Sequence, residues 1–186
     1  MITYFTGALL LIFSAGIYWS FFALNSVLFT GFNFSTGVSW IFLPAGLRLL
    51  LTLLFAEEGA IGISIASFYI ALTGDFKSDL ITAIVTSIIS GGAPLLARAL
   101  VISKSGITAN LSNLNNTRLL ICVLFFSMMS PIMHQIWFYL HNYTDNFFTS
   151  LTVMIIGDFM GTMIIIYLAK LIIFTWRLKN SNASNS

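Results

Sequence analysis

Long apolar runs broken by short polar stretches pattern the whole chain. The runs cover about residues 2–24, 40–55, 60–72, 80–100, 119–140 and 151–176. Most approach the roughly 17–25 residues with which a helix crosses a hydrocarbon core about 30 Å thick. The run at 60–72 is short for a crossing: it extends into its flanks or thins the bilayer, and with the run before it also fits a re-entrant hairpin. The pattern predicts an all-α, polytopic transmembrane helix bundle of about six spans.

The breaks between the runs are turn-like. Residues 25–39 are rich in Asn, Ser, Thr and Gly and read as an uncharged loop. Ala56-Glu57-Glu58-Gly59 reads as a tight, solvated turn, because adjacent carboxylates are expensive in lipid. Residues 73–78 and 141–150 form further turns. Residues 104–118, with Asn110, Asn113, Asn115 and Asn116, are the longest polar stretch. A polar tail at 177–186 is expected to be disordered and cytoplasmic. No linker-like block divides residues 1–176, which read as one domain.

Composition settles which solvent the runs meet. Hydrophobic residues make up 58% of the chain and charged residues 8%, against about 25% charged in soluble domains. A net charge of +2 gives no footprint for nucleic acid, so the bilayer is the expected partner. Cys122 is the single cysteine, which excludes an internal disulfide and any paired-cysteine metal motif. The first sixteen residues lack the basic flank of a cleavable signal and read as part of the first span.

Basic residues then orient the bundle. With six spans, Arg98, Lys104, Arg118, Lys170, Arg177 and Lys179 share one side and only Lys77 lies on the other. The positive-inside rule therefore expects both termini in the cytoplasm and the protein in the inner (plasma) membrane. Trp40, Trp137 and Trp176 fall near span ends, as interfacial aromatics do.

Three residues stand out against the apolar background. Arg48 falls about 12 Å into the second span, at 1.5 Å per residue, where an arginine costs about 2.5–3.5 kcal/mol. Its helical neighbours Pro44, Ala45, Leu51 and Thr52 form the smaller, more polar face, which points Arg48 into the bundle. Asp158 falls about 10 Å deep in the sixth span, within Gly157-Asp158-Phe159-Met160-Gly161. That glycine spacing lets another helix approach closely, and an inward Arg48–Asp158 pair would neutralise both charges. His134 falls about 9 Å deep in the fifth span and ends a polar stripe with Ser127 and Ser130. The three residues fit two readings, a pair that fixes helix register or the lining of a ligand pocket or pathway.

Other signals are weaker. Ser87, Gly91, Pro94 and Arg98 share a face of the fourth span, where Arg98 is placed to snorkel to phosphate headgroups. Gly91 to Pro94 marks a kink or, as in some transporters, a broken helix, and Pro131 invites the same choice. Gly62 with Ala66 offers another small-residue face. Asn-x-Ser/Thr triplets, one at Asn142, are too short to carry weight. Nucleophile motifs, phosphate loops and metal-ligand spacings are all missing, so neither an enzyme, a cofactor nor a metal site is expected.

Two short motifs carry a resemblance. Trp40-Ile41-Phe42-Leu43-Pro44-Ala45-Gly46, with Gly59 to Ile65 after it, and the later Gly157-Asp158-Phe159-Met160-Gly161 are similar to signature elements of MASE-type integral membrane sensor domains. Leu43 stands where that family has a second proline, and the family's usual domain has eight helices. The resemblance implies a sensory input module, and it singles out Pro44, Ala45, Gly46, Gly157, Asp158 and Gly161. The expected function is binding of a small ligand or partner within the bundle, with the signal passed to a separate protein. Two alternatives stay open: a small-solute uptake transporter or its substrate-binding subunit, and a structural or assembly subunit of a membrane complex.

Overall fold

A computed structural model describes residues 2–105 and 115–183. Its helices are α1 (Ile2–Leu28), α2 (Leu43–Thr73), α3 (Leu80–Ser105), α4 (Asn116–Leu140) and α5 (Phe147–Ala183). A small antiparallel hairpin, β1 (Asn33–Ser35) and β2 (Val38–Ser39), follows a short 3-10 turn after α1. All five helices are long and apolar enough to cross a membrane.

The expected second and third spans are the two arms of α2. Ala56, at φ 49° and ψ −117°, turns the chain back on itself. Gly59 consequently packs against the backbone of Leu51, and Leu47 shares a core cluster with Ile63 and Ala66. Contacts with α1 give the direction of each arm. Phe13 meets Phe55, Phe22 meets Phe42, and the Asn25 side chain reaches Leu43 N at 2.9 Å, so the first arm runs antiparallel to α1. Gly62 abuts Leu11 and Ser14, and the Ser67 hydroxyl lies 3.4 Å from Tyr18 Oη, so the second arm runs parallel to α1.

Several boundaries differ from expectation, each for a local reason. α1 runs on to Leu28, through the start of the predicted loop. Asn25 is buried inside the bundle because its amide oxygen accepts the Leu43 N–H and caps α2 from a neighbouring helix. Of the two readings at Gly91–Pro94, a kink or a broken helix, the broken helix does not form: α3 is continuous, and Gly91 lets the Ala60 carbonyl and the Ser64 hydroxyl approach. Pro131 likewise lies inside α4. α4 begins at Asn116, with the Asn115 side chain accepting from Arg118 N at 2.9 Å. Asn110 and Asn113 of the polar stretch lie outside the described residues, as do the last three residues of the tail. α5 starts earlier than predicted and continues to Ala183.

The first arm of α2 is the packing centre. Between Leu43 and Leu53 only Leu50 is not fully buried. Ala45, Leu49 and Leu53 join Ala97, Val101, Val123 and Phe126 of α3 and α4 in one cluster. Leu43, Leu47 and Leu51 join Tyr18 and Ile165 of α1 and α5 in another. A helix apolar on every side belongs inside a bundle, and the outward faces of its neighbours then meet lipid. Ile12, Ile81, Ile88, Ile172 and Phe174 are among the exposed apolar residues of those faces.

At the end of the bundle that holds the hairpin, Asp79 ties three elements together. Its carboxylate accepts from Thr82 N at 3.0 Å, Thr82 Oγ1 at 2.6 Å and Tyr143 Oη at 2.9 Å. Trp137 Nε1 donates to the same Thr82 hydroxyl at 3.1 Å. The bonds from Thr82 hold the Asp79 carboxyl down at about 2, so this cap stays ionised until the pH falls well below 4.

The reversal at Ala56 uses a backbone conformation that suits glycine. Ala56→Gly should raise the melting temperature in detergent, a stabilisation of about 1 kcal/mol. Ala56→Val should lower it, and equal melting of all three proteins would argue against strain at this turn.

Candidate functional site

The two short motifs of the sequence meet in space. Residues 39–42 lie extended along the glycine face of α5, with Phe42 N donating to Gly157 O at 3.2 Å. A Cβ on Gly157 would strike the Ser39 carbonyl, and one on Gly161 would strike the Phe42 carbonyl. A Cβ on Gly46 would strike Ile165 and the Gly161 carbonyl. Non-helical backbone is tolerated at membrane depth where protein surrounds it, and here α5 supplies that surround. Pro44 sits in the first turn of α2, where its missing N–H leaves nothing unsatisfied. Ala45 is fully buried and donates to Phe42 O at 3.1 Å. This seat starts α2 inside the bundle and carries Arg48 a little over a turn further in.

Arg48 and Asp158 lie together, with side chains 2% and 1% exposed. Arg48 Nη2 is 3.8 Å from Asp158 Oδ1, within ion-pair range and beyond hydrogen-bond length. Arg48 Nη1 donates to Ser130 Oγ at a long 3.4 Å, and the Phe42 ring stands 5.1 Å from the guanidinium carbon. Arg48 Nε and Asp158 Oδ2 have no hydrogen-bond partner among the described residues. The nearby Thr52 and Thr162 hydroxyls do not help, because each turns back to its own helix, on the carbonyls of Arg48 and Asp158. The pair is neutral overall and loosely held.

His134 is buried on α4 beside the pair. Its Nδ1 lies 2.9 Å from Ser130 O, so this nitrogen carries the proton that the carbonyl accepts. Ser130 thus serves Arg48 with its hydroxyl and His134 with its carbonyl. Ser127, the other member of the predicted stripe, is buried with its hydroxyl unpartnered among the described residues.

Arg48 and His134 both line a chamber of about 550 Å³. Thr86 and Ser90 of α3 and Ser67 of α2 add polar surface, while Phe22, Phe42, Phe76, Phe138 and Met154 supply apolar walls. Asn33, Thr36, Gly37 and Val38 of the hairpin and Gly74 and Asp75 after α2 form its rim. Gly37, at φ 69°, brings the hairpin turn down onto the Phe138 ring. Asp158 stands behind Arg48 and does not line the chamber.

Some participants escaped the sequence reading. Gln135 is fully buried, with Nε2 3.5 Å from Met154 Sδ and Oε1 unpartnered among the described residues. Its position in the middle of an apolar run was the available signal. Asn25 was hidden by its place at a span end. Arg98 is half-buried, near enough to Cys122 to act on it electrostatically, and lies away from the chamber. Among the described residues no group of His, Cys, Asp and Glu is arranged to hold a metal ion.

Asp158→Asn alone should destabilise the protein by about 3 kcal/mol, because Arg48 would stay buried without its counter-charge. Replacing both, as Arg48→Met with Asp158→Leu, should restore most of the melting temperature. Equal loss in the single and double variants would remove the pair from this account. Gly161→Ala should lower stability by about 1–3 kcal/mol, read by the same melting assay, since the obstructing atom is a backbone carbonyl. No protein-family model, curated protein or solved structure matches the chain significantly.

Proposed function

We propose that the protein is a membrane-embedded module that binds a small ligand in its chamber and conveys that occupancy to a second protein, as a sensory input domain does. The chamber is the observation that carries this reading. Its volume falls in the range of about 300–1,000 Å³ usual for small-molecule sites, and its few polar groups sit in apolar walls. A merely register-fixing ion pair needs no such space beside it. The meeting of the two MASE-like motifs at the seat of Arg48 supports the sensory direction: ligand contacts at Arg48 would be felt at the junction of α2 with α5.

The same packing supports an orientation for the bundle. The α2 hairpin lies alongside α1 from Gly7, beside Glu58, to Asn25, beside Leu43. That is about 27 Å of helix, close to a full hydrocarbon core, which supports six crossings with α2 counted twice. The Glu57–Glu58 turn then shares a side with the start of α1. Lys170 Nζ, 3.0 Å from Asn116 Oδ1, joins the α3–α4 and C-terminal ends there, with Arg118, Arg177 and Lys179. The basic end is cytoplasmic by the positive-inside rule, so both termini are inside, the chamber opens outward and the inner (plasma) membrane is the site.

The chamber also favours a second reading, the substrate-binding subunit of an uptake transporter. An outward-opening site under a small hairpin is what such a subunit needs.

The test is a melting screen of the purified chain against a broad library of anionic, cationic and neutral metabolites, with Ser90→Leu as a chamber-filling control. Stabilisation of the wild type that Ser90→Leu abolishes is the expected result. A wild type that no library member stabilises would defeat the ligand-binding reading. Gentle purification from native membranes then separates the two roles. A stoichiometric kinase or cyclase supports sensing, and an ATPase with a coupling subunit supports transport.

A further inference from the structure

Resting on the chamber as a ligand site, we propose that its ligand is a small monocarboxylate with a flat apolar body, held by its carboxylate on the Arg48 guanidinium. Arg48 is short of hydrogen-bond partners. A guanidinium has five N–H donors and no acceptor. Here one long hydrogen bond goes to Ser130 Oγ, while Asp158 approaches only to 3.8 Å and Nε has no partner. Buried donors left open in this way are costly, and an arriving acceptor would satisfy them.

Arg48 lines the chamber and Asp158 does not. A ligand therefore meets the donor side of the pair first. Two N–H groups on one edge of a guanidinium match the two oxygens of a carboxylate with parallel hydrogen bonds, and an amine offers the group nothing. The Phe42 ring stands 5.1 Å from the guanidinium carbon.

Charge balance keeps the charge on the ligand low. Among the described residues Arg48 is the only arginine or lysine lining the chamber, and Asp158 behind it already offsets that charge. A monocarboxylate adds one negative charge to the neutral pair and a dianion such as phosphate adds two, and each buried charge is expensive. Among the described residues Asp75 is the only carboxylate lining the chamber, and it lies exposed at the rim where salt screens it.

The walls give the rest of the ligand its character. Phe22, Phe76 and Phe138 with the polarizable Met154 suit a planar ring, since aromatic faces and edges pack favourably at ring separations of about 4.5–7 Å. Ser90 and Thr86 leave room for a polar substituent on that ring.

Matched probes test this on the full chain in lipid nanodiscs by titration calorimetry. One set is indole-3-acetate, indole-3-acetamide and tryptamine; the other is phenylacetate, phenylacetamide and phenethylamine. Within each set the acid should bind at least about tenfold tighter than the amide, the ratio expected for a charge-assisted pair, and the amine should not bind. Arg48→Lys should weaken the acids about tenfold by losing the paired donors. The double variant Arg48→Met with Asp158→Leu, checked for folding by its melting, should lose all preference for acid over amide. Amides or amines binding as well as the acids would overturn the carboxylate while leaving chamber binding intact. Acid binding unchanged in the double variant would overturn the role of Arg48. Failure of both acids to bind would overturn the ligand class, and the library screen would still decide the chamber itself.

Discussion

A guanidinium inside a bilayer has to be solvated by protein, and the arrangement of this bundle follows from that need. Arg48 sits on the one arm that neighbouring helices surround. Its counter-charge comes from α5, its hydroxyl from α4 and its aromatic cover from the residue just before its own helix. Each contact is long or incomplete by hydrogen-bond standards, so the group is neutralised without being saturated. A saturated pair would close the core, whereas this one borders open space.

The glycines of α5 make the arrangement sterically possible. Interfaces between membrane helices gain from close backbone approach, because lipid gives apolar contacts no advantage over protein. Gly157 and Gly161 extend that idea to an extended segment: residues 39–42 replace a partner helix on the glycine face. The hairpin above the chamber, the extended segment and the first turn of α2 are therefore consecutive parts of one stretch of chain. The hairpin is thus joined directly, through residues 40–42, to the turn that precedes Arg48.

The helical class and the charged part of the interior were legible in the sequence, for physical reasons that can be named. Charged side chains in apolar runs are costly enough that Arg48 and Asp158 announce themselves, and comparable depth in parallel spans brings them to one layer. The close packing at Gly157 and Gly161 was equally readable from small-residue spacing. Partners that depend on a chain reversal or on a neighbour's end were not readable. Asn25 looks like the start of a loop until Leu43 N is seen beside it. Pro94 left a kink or a broken helix open, and α3 runs through it as one helix with Ala60 packed against Gly91. The chamber depends on how the hairpin folds over the helices, which no local pattern encodes.

The placement of the ion pair on α2 and α5 also constrains how the protein is made. Translation delivers Arg48 to the membrane early, whereas Asp158 arrives only on the last helix, and Ser130 comes on the helix before it. During that interval the arginine has neither its counter-ion nor its hydroxyl. Snorkelling and local water defects hold down the cost of such a residue in the meantime. The last helix is thus the element that completes the interior, so a nascent chain stalled before α5 would carry an unmatched arginine in its membrane domain.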